Sequence, residues 1–182
     1  VVGVTVRTED GESTIEADVV LSTIPATTLA PIITPAAPPA VIHAVDSLRH
    51  RSMIVVYLIL DQPKLTDDHW IYLPEQRLKT HRLSEFKNFS PDAAPADQTL
   101  ICAEITCDFD DADWNRSDQE LQEIVVRDLG EIGLIDATKV LHTFSHRERY
   151  AYPIYDLTYR TNRDAILRYV SSIAGLDTTG RQ

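Results

Sequence analysis

The sequence has few of the residues from which a nucleotide site could be built. Its 182 residues include only six glycines. None of them falls into Gly-x-Gly-x-x-Gly or a P-loop, the patterns that let the backbone approach a pyrophosphate at the N-terminus of a helix. The chain therefore has no phosphate-binding motif of its own.

Positive charge is also scarce, with 17 Lys and Arg against 28 Asp and Glu and a formal net charge of −11. A chain this acidic repels nucleic acids and anionic membranes, so we expect neither as a partner. The longest apolar run, at 53–60, is far shorter than the ~20 residues that a membrane-spanning helix needs. We therefore expect no membrane span and a small-molecule partner.

Cysteine and metal-ligand patterns are sparse too. Two cysteines, Cys102 and Cys107, are too few for a disulfide framework, and we expect both to be buried thiols in a reducing compartment, the cytoplasm. His142 and His146 lie in a strand pattern, where four residues span roughly 13 Å, too far to share an ion. The acidic stretch at 108–113 lacks the glycine and the closing Glu of an EF-hand loop. We predict no metal site.

The hydrophobic pattern predicts an α+β fold. Residues 1–16 alternate around a turn at 9–12, which indicates a β-hairpin. The apolar run 18–24 predicts a strand that is buried on both faces. Further strands are predicted at 52–61, 69–73, 82–89, 99–107 and 140–150, and helices at 26–33, 40–48, after a capping box at Ser117–Glu120, and at 162–174. Successive strands without regular helical crossovers favour an antiparallel sheet with flanking helices.

Two stretches carry candidate ligand-binding side chains. Trp70 and Tyr72 lie in the first, at 69–74. The second, at 147–156, combines three tyrosines and two arginines beside a proline that breaks the strand. Tyrosine offers a flat apolar face with a hydroxyl group, and arginine binds oxyanions through paired hydrogen bonds, which together suit a ring-shaped or phosphorylated ligand. The alternative is aromatic packing at the end of a strand.

Several stretches, taken in order, resemble flavoenzymes of the amine oxidase and protoporphyrinogen oxidase superfamily. They are Val-Gly-Val-Thr-Val at 2–6, Ala-Asp-Val-Val-Leu-Ser-Thr-Ile-Pro at 17–25 and Thr-Gly-Arg at 179–181. His-Trp-Ile-Tyr at 69–72, Asn-Phe-Ser-Pro at 88–91 and Ala-Tyr-Pro-Ile-Tyr at 151–155 are similar to a bacterial branch that includes UDP-galactopyranose mutase. The resemblance spans nearly the whole chain.

The resemblance implies a division of the chain. Residues 1–35 would be a hairpin and return strand from an FAD-binding α/β sheet, 36–174 the substrate-binding α+β domain, and 175–182 the return into the FAD domain. The chain starts inside a strand pattern with Val1 and stops just after a Gly-Arg element, so we expect it to be an excised piece.

The resemblance also implies roles for single residues. Tyr152 and Tyr155 resemble tyrosines that face a sugar-nucleotide pyrophosphate in the mutases, with Arg147, Arg149 and Arg160 available to bind it. Gly180 and Arg181 resemble the turn next to the flavin. Trp70 and Tyr72 are candidates for the pocket wall. No residue is identified as catalytic.

The expected function is therefore the substrate-binding portion of an FAD-dependent oxidoreductase. FAD would belong to the intact parent, because the glycine-rich half of the family's cofactor site is missing from this sequence, and we expect the isolated chain to be inactive. Two alternatives stay open. The chain could be part of a flavin-dependent sugar-nucleotide mutase, whose ligand would be a sugar nucleotide, or a non-catalytic binding module.

Overall fold

The computed structural model describes residues 1–179, so the predicted flavin contacts Gly180 and Arg181 lie outside the described residues. The chain forms two compact units. Unit 1 combines Val1–His50 with the segment that starts at Tyr152, and unit 2 is the continuous stretch Arg51–Ala151. The domain boundaries after 35 and after 174 rest on the family resemblance and stay a prediction.

The regular elements follow the predicted order closely. In chain order they are β1 Gly3–Thr8, β2 Gly11–Glu16, β3 Val20–Ser22, α1 Ala26–Ile32, α2 Pro39–Ser47, β4 His50–Leu60, β5 Trp70–Tyr72, β6 Arg82–Glu85, β7 Thr99–Cys107, α3 Asp118–Glu131, β8 Val140–Pro153, α4 Tyr159–Ser171 and β9 Leu176–Thr178. Short 3-10 turns occupy Phe86–Asn88, Pro91–Ala93 and Ala137–Lys139. None of the helices described within residues 1–179 is both long and apolar enough to cross a bilayer.

Unit 1 contains two small sheets and a three-helix core. β1 and β2 form the predicted antiparallel hairpin, and β3 pairs in parallel with β9. Ala30 of α1, Ala44 of α2 and Ile166 of α4 are buried together in one apolar cluster. The prediction that the strand at 18–24 is buried on both faces is wrong, because Val19 and Leu21 are 70% and 60% exposed. Within the described residues β3 has a single neighbouring strand, so its apolar side chains lack the cover that a wider sheet gives.

Unit 2 is built on a five-stranded antiparallel sheet in the order β5-β6-β7-β4-β8, which confirms the predicted α+β class. β4 and β7 pair along their length, from Ser52 opposite Cys107 to Leu60 opposite Thr99. Alternate residues of these two central strands, such as Ile54 and Ile105, pack against Leu121, Val125 and Leu129 of α3. The buried side of α3 therefore covers one face of the sheet.

The start of α3 is fixed by the predicted capping box. The Ser117 side chain accepts a hydrogen bond from the Glu120 amide, and the Glu120 carboxylate accepts one from the Ser117 amide. Reciprocal bonds of this kind satisfy two amides that the first helical turn leaves without partners. The chain turns after α3 at Gly133, whose φ of 70° lies in the left-handed region that glycine adopts without strain.

Candidate functional site: an aromatic face on the sheet of unit 2

The face of the sheet opposite α3 carries a different set of side chains. Because side chains alternate along a strand, Tyr57 and Cys102, which are paired across β4 and β7, point away from the α3 core. The same row continues through Ser84 of β6, opposite Cys102, to Trp70 of β5, opposite Ser84. We call this side of unit 2 the aromatic face.

A row of rings crosses the aromatic face. The Tyr57 ring stacks on Phe144 of β8 with centroids 4.7 Å apart and on Phe86 with centroids 6.2 Å apart. Phe86 and Phe89 have centroids 6.4 Å apart, and Phe89 meets the edge of Trp70 at 5.1 Å. Trp70, Phe89 and Phe144 each stay more than two fifths exposed, so the row has rings available for contact at both of its ends.

A polar row runs beside the rings on the same face. Arg82 of β6 lies opposite Glu104 of β7 and donates to its carboxylate at 2.5 Å. Tyr72 lies opposite Arg82, whose guanidinium carbon is 5.9 Å from the tyrosine ring centroid. His81 approaches the other oxygen of Glu104 at 3.8 Å, and burial lowers the pKa of this histidine. The charges of Arg82 and Glu104 therefore largely compensate each other.

The aromatic face has the chemistry of a binding surface. Burial raises the pKa of the Cys102 thiol to about 12, with the Glu104 charge adding to the effect, so the thiol is protonated near neutral pH and is a poor nucleophile. Burial also raises the pKa of Tyr57. A row of partly exposed rings offers a flat apolar surface to a ligand, while the compensated Arg82–Glu104 pair adds little net charge.

The structure brings the predicted residues Trp70 and Tyr72 together on this face. They are two apart on the three-residue edge strand β5, so both side chains point to the same side. Trp70 is 54% and Tyr72 is 68% exposed. Exposed rings next to buried polar groups are what a pocket wall requires, and the role of these two residues stays a prediction.

Arg147 and Arg149 lie on the other side of the sheet. The hydroxyl of Thr143 donates to Gln122 of α3, which places this flank of β8 against the helix. Arg147 donates to the carbonyls of Trp114 and Arg116 and to the carboxylate of Asp118. These partners lie just before α3 and at its first residue, which favours a structural role for this arginine. The Arg149 guanidinium stacks 3.9 Å from the ring centroid of Phe109 in the segment before α3.

Tyr152 and Tyr155 belong to unit 1. Tyr155 is exposed and packs edge-on against Tyr159, with centroids 4.7 Å apart. Both rings line a shallow depression of about 740 Å³. Its other lining residues are Asp156, Leu157, Arg160, Arg163 and Leu167. The structure thus places Arg160, rather than Arg147 or Arg149, with Tyr155 in one concavity of unit 1. Tyr152 is half-buried and is not among the residues that line this depression.

Sequence reasoning missed the middle of the aromatic row. Tyr57, Phe86 and Phe144 fall in predicted strands, and Phe89 falls at the end of one and in the family motif at 88–91, but none of the four is a predicted binding residue. A signal was present for one of them, because Tyr57 interrupts an aliphatic strand at a position that alternates with buried Val56 and Leu58. The contact of Phe86 with Tyr57 depends on how β7 pairs with both β6 and β4, which the local sequence does not encode.

Neither a metal site nor a cofactor site is complete within the described residues. No group of three His, Cys, Asp or Glu side chains in residues 1–179 is arranged to hold a metal ion. A flavin dinucleotide needs a glycine-rich turn at a helix N-terminus for its pyrophosphate. α1 and α2 instead begin behind prolines, and α3 begins with acidic residues that would repel a phosphate. No glycine lies near the start of α4 either, so no helix N-terminus within residues 1–179 has the glycine-rich turn that the pyrophosphate of FAD needs.

Comparison with models of protein families shows which family this chain belongs to. The model for flavin-containing amine oxidoreductases matches residues 2–170. The chain belongs to this family. The family resemblance that the sequence predicted is therefore confirmed. No curated protein matches the chain.

Solved structures share the fold of the family member described here. A protein from Exiguobacterium sp. 255-15, assigned as a protoporphyrinogen oxidase, aligns with a TM-score of 0.65 at 21% identity, over 97% of this chain and 38% of its own. Reduced UDP-galactopyranose mutase aligns with a TM-score of 0.71 at 17% identity, over 95% and 37%. A putrescine oxidase variant aligns with a TM-score of 0.64 at 17% identity, over 98% and 40%. The chain thus spans about two fifths of each of these proteins.

Proposed function

We propose that this chain is the substrate-binding portion of an FAD-dependent oxidoreductase, and that the aromatic face of unit 2 is the wall that meets the substrate. The aromatic row is the observation that carries the proposal. Partly exposed rings grouped on one face are a frequent sign of a binding surface in a folded protein. Family membership supplies the reaction class, since the family is flavin-containing.

In this proposal the chemistry belongs to the flavin of the intact protein, and this chain supplies shape and orientation. The rings of Trp70, Tyr57 and Phe144 would hold the substrate flat, and the Arg82–Glu104 pair would fix Tyr72 at the border of the surface. The two free, buried thiols support a reducing compartment, so we propose a cytoplasmic location.

Anaerobic reduction of the flavin tests the role of the aromatic face. The full-length protein is mixed with putrescine or protoporphyrinogen, the compounds that the names of its structural relatives suggest, and the loss of flavin absorbance is followed. Trp70→Ala and Phe144→Ala are each expected to raise the half-saturating concentration about tenfold, the effect of about 1.4 kcal/mol of lost ring contact. Phe109→Ala, which removes an exposed ring beside Arg149, is the matched control and should change nothing. Equal effects of all three variants would refute the proposed wall.

The isolated 182-residue chain is expected to take up no flavin. Purified beside the full-length protein, it should be colourless, whereas the full-length protein should show flavin bands. A yellow fragment would contradict this expectation, and a full-length protein that cannot take up FAD would favour the non-catalytic binding module.

The depression of unit 1 favours a second candidate function, that of a flavin-dependent sugar-nucleotide mutase. Arg160 lines it together with Tyr155 and Tyr159, a combination that can bind a pyrophosphate. Titration of the full-length protein with UDP and with uridine separates the two functions. Tighter binding of UDP that is lost in Arg160→Met would support the mutase, and equal weak binding of both compounds would leave the oxidoreductase.

A further inference from the structure

Unit 2 buries a carboxylate that none of the roles above uses. Glu85, the last residue of β6, is 2% exposed. No Lys, Arg or His nitrogen within residues 1–179 forms an ion pair with it. Burial without hydrogen-bond donors strongly destabilises a carboxylate, because the charge loses its hydration.

Two of the four donors around Glu85 come from one loop. Its two carboxylate oxygens accept from the backbone amides of Leu65, at 2.7 Å, and Thr66, at 2.8 Å. The Thr99 hydroxyl donates to the first oxygen at 2.6 Å, and the Asn88 amide group approaches the second at 3.4 Å. Glu85 thus fixes the loop between β4 and β5 to the end of the sheet.

Asn88 completes the attachment one 3-10 turn later. Its side-chain amide donates to the carbonyls of Thr66, at 3.0 Å, and Asp68, at 2.7 Å. Glu85 therefore binds amides of the loop and Asn88 binds its carbonyls. Together these two side chains satisfy four backbone groups of residues 65–68, which a loop lacking regular structure would otherwise leave to solvent.

The attached loop leads directly into the aromatic row. His69 and Trp70 follow Asp68, and their rings lie 4.9 and 5.1 Å from the centroid of Phe89. Phe89 is the residue after Asn88. One short segment thus supplies both the anchor of the loop and the ring on which His69 and Trp70 rest.

We propose that Glu85 and Asn88 are positioning residues, which hold the loop at 65–68 so that the Trp70 ring stands fixed against Phe89. The purpose of this arrangement rests on the proposed function, because a wall that orients a substrate must not swing away from it. An apolar residue of similar size would leave the amides of Leu65 and Thr66 without these partners, so the attachment of the loop depends on the carboxylate itself.

Tryptophan fluorescence tests the proposal without knowledge of the substrate. The sequence has two tryptophans, so Trp114→Phe leaves Trp70 as the only reporter. In that background, Glu85→Gln replaces one accepting oxygen by an amide group that repels the N–H donors of the loop. Asn88→Asp replaces the donating amide by a carboxylate that repels the carbonyl oxygens of Thr66 and Asp68. Glu120→Gln is the matched control, because it weakens a carboxylate-to-backbone bond at the start of α3, away from this loop.

Acrylamide quenching is measured on the 182-residue chain, after circular dichroism has shown that each variant is folded. Trp70 is already 54% exposed, so release of the loop can raise its quenching constant by at most about twofold. We expect a rise towards that limit in Glu85→Gln and Asn88→Asp and none in Glu120→Gln. Should Glu85→Gln fail to fold, Asn88→Asp decides alone.

The same substitutions in the full-length protein separate this inference from the proposed function. A raised KM with little change in kcat would support both, since a displaced wall weakens binding while the flavin chemistry is unaltered. A raised quenching constant with an unchanged KM would overturn the role of the aromatic face and leave the anchor established. An unchanged quenching constant in a folded variant would overturn the positioning role whatever the kinetics.

Discussion

Replacement of Arg147 by methionine separates a structural arginine from a ligand-binding one. The substitution keeps the apolar stem but removes the bonds to the carbonyls of Trp114 and Arg116 and the ion pair with Asp118. Two hydrogen bonds to carbonyls contribute about 1 kcal/mol each. The ion pair adds at most about 1 kcal/mol, because more than half of the Asp118 side chain is exposed. The expected loss of unfolding free energy is therefore about 2–3 kcal/mol.

Urea unfolding of the 182-residue chain in a Trp70→Phe background measures this loss. Trp114 is then the only tryptophan, and it reports on unit 2 through the segment that Arg147 binds. With an m-value of about 1–3 kcal/mol/M, the midpoint should fall by about 1 M. Arg149→Met is the control and should lose less than about 1 kcal/mol, because Arg149 is exposed and contacts mainly the Phe109 ring. Equal small losses for both variants would refute the structural assignment.

The pH dependence of the same measurement has a definite sign. The hydrogen bond that Arg147 donates to Asp118 lowers the pKa of this carboxylate. A lowered folded-state pKa means that the stabilisation is complete above the ordinary pKa of an aspartate, about 4, and is lost as pH falls through the lowered value. The difference in stability between wild type and Arg147→Met should therefore shrink in strong acid. A difference that grows on acidification would contradict the ion pair.

The remaining predictions concern the cysteines and one glycine. Burial raises the pKa of Cys102 to about 12 and that of Cys107 to about 11, so neither thiol should react with a disulfide reagent at pH 8 until the chain is unfolded; rapid reaction of the native chain would contradict their burial. Gly175→Ala should cost at least about 2 kcal/mol, because φ is +77° there and a Cβ would lie 2.4 Å from the Asp18 carbonyl oxygen. Gly130→Ala, at an open position in α3, is the control. The melting temperature of each variant is measured from the loss of helical circular dichroism on heating. Equal melting temperatures would contradict the close approach of Gly175 to the Asp18 carbonyl oxygen.

Local signals in the sequence were sufficient for most of the regular elements, although the predicted strand at 82–89 ends at Glu85 and gives way to the 3-10 turn Phe86–Asn88. β7 has the predicted bounds, because a run of apolar residues between a proline-rich loop and an acidic turn leaves little choice. α4 begins at Tyr159, three residues before the predicted start, because Asp156 accepts from the backbone amide and hydroxyl of Thr158 and forms a turn ahead of the helix. That turn depends on side-chain bonds which helical periodicity does not report.

The candidate site was harder to predict from the sequence, because it depends on which face of the sheet each strand side chain points to. Arginine and tyrosine at 147–152 have the composition of a binding motif, yet the alternation of β8 turns Arg147 towards the start of α3. Phe144, three residues earlier, joins Tyr57 on the opposite face. Such facing is set by strand register across β4 and β8, a long-range property that residue types alone leave open.

The division of the chain has a consequence for the order in which it is made and folded. Unit 2 is continuous, and its own two ends meet, since the Ser52 hydroxyl donates to the Arg149 carbonyl at 2.9 Å. Without that closure, the loop that the pairing of Val20 with Leu176 closes would be about 100 residues longer, at an extra entropy cost of roughly 1 kcal/mol. Unit 2 can fold on the ribosome before β9 is synthesised. Once it has done so, the two halves of unit 1 are joined by a short bridge, and the parallel pair of β3 and β9 can form last.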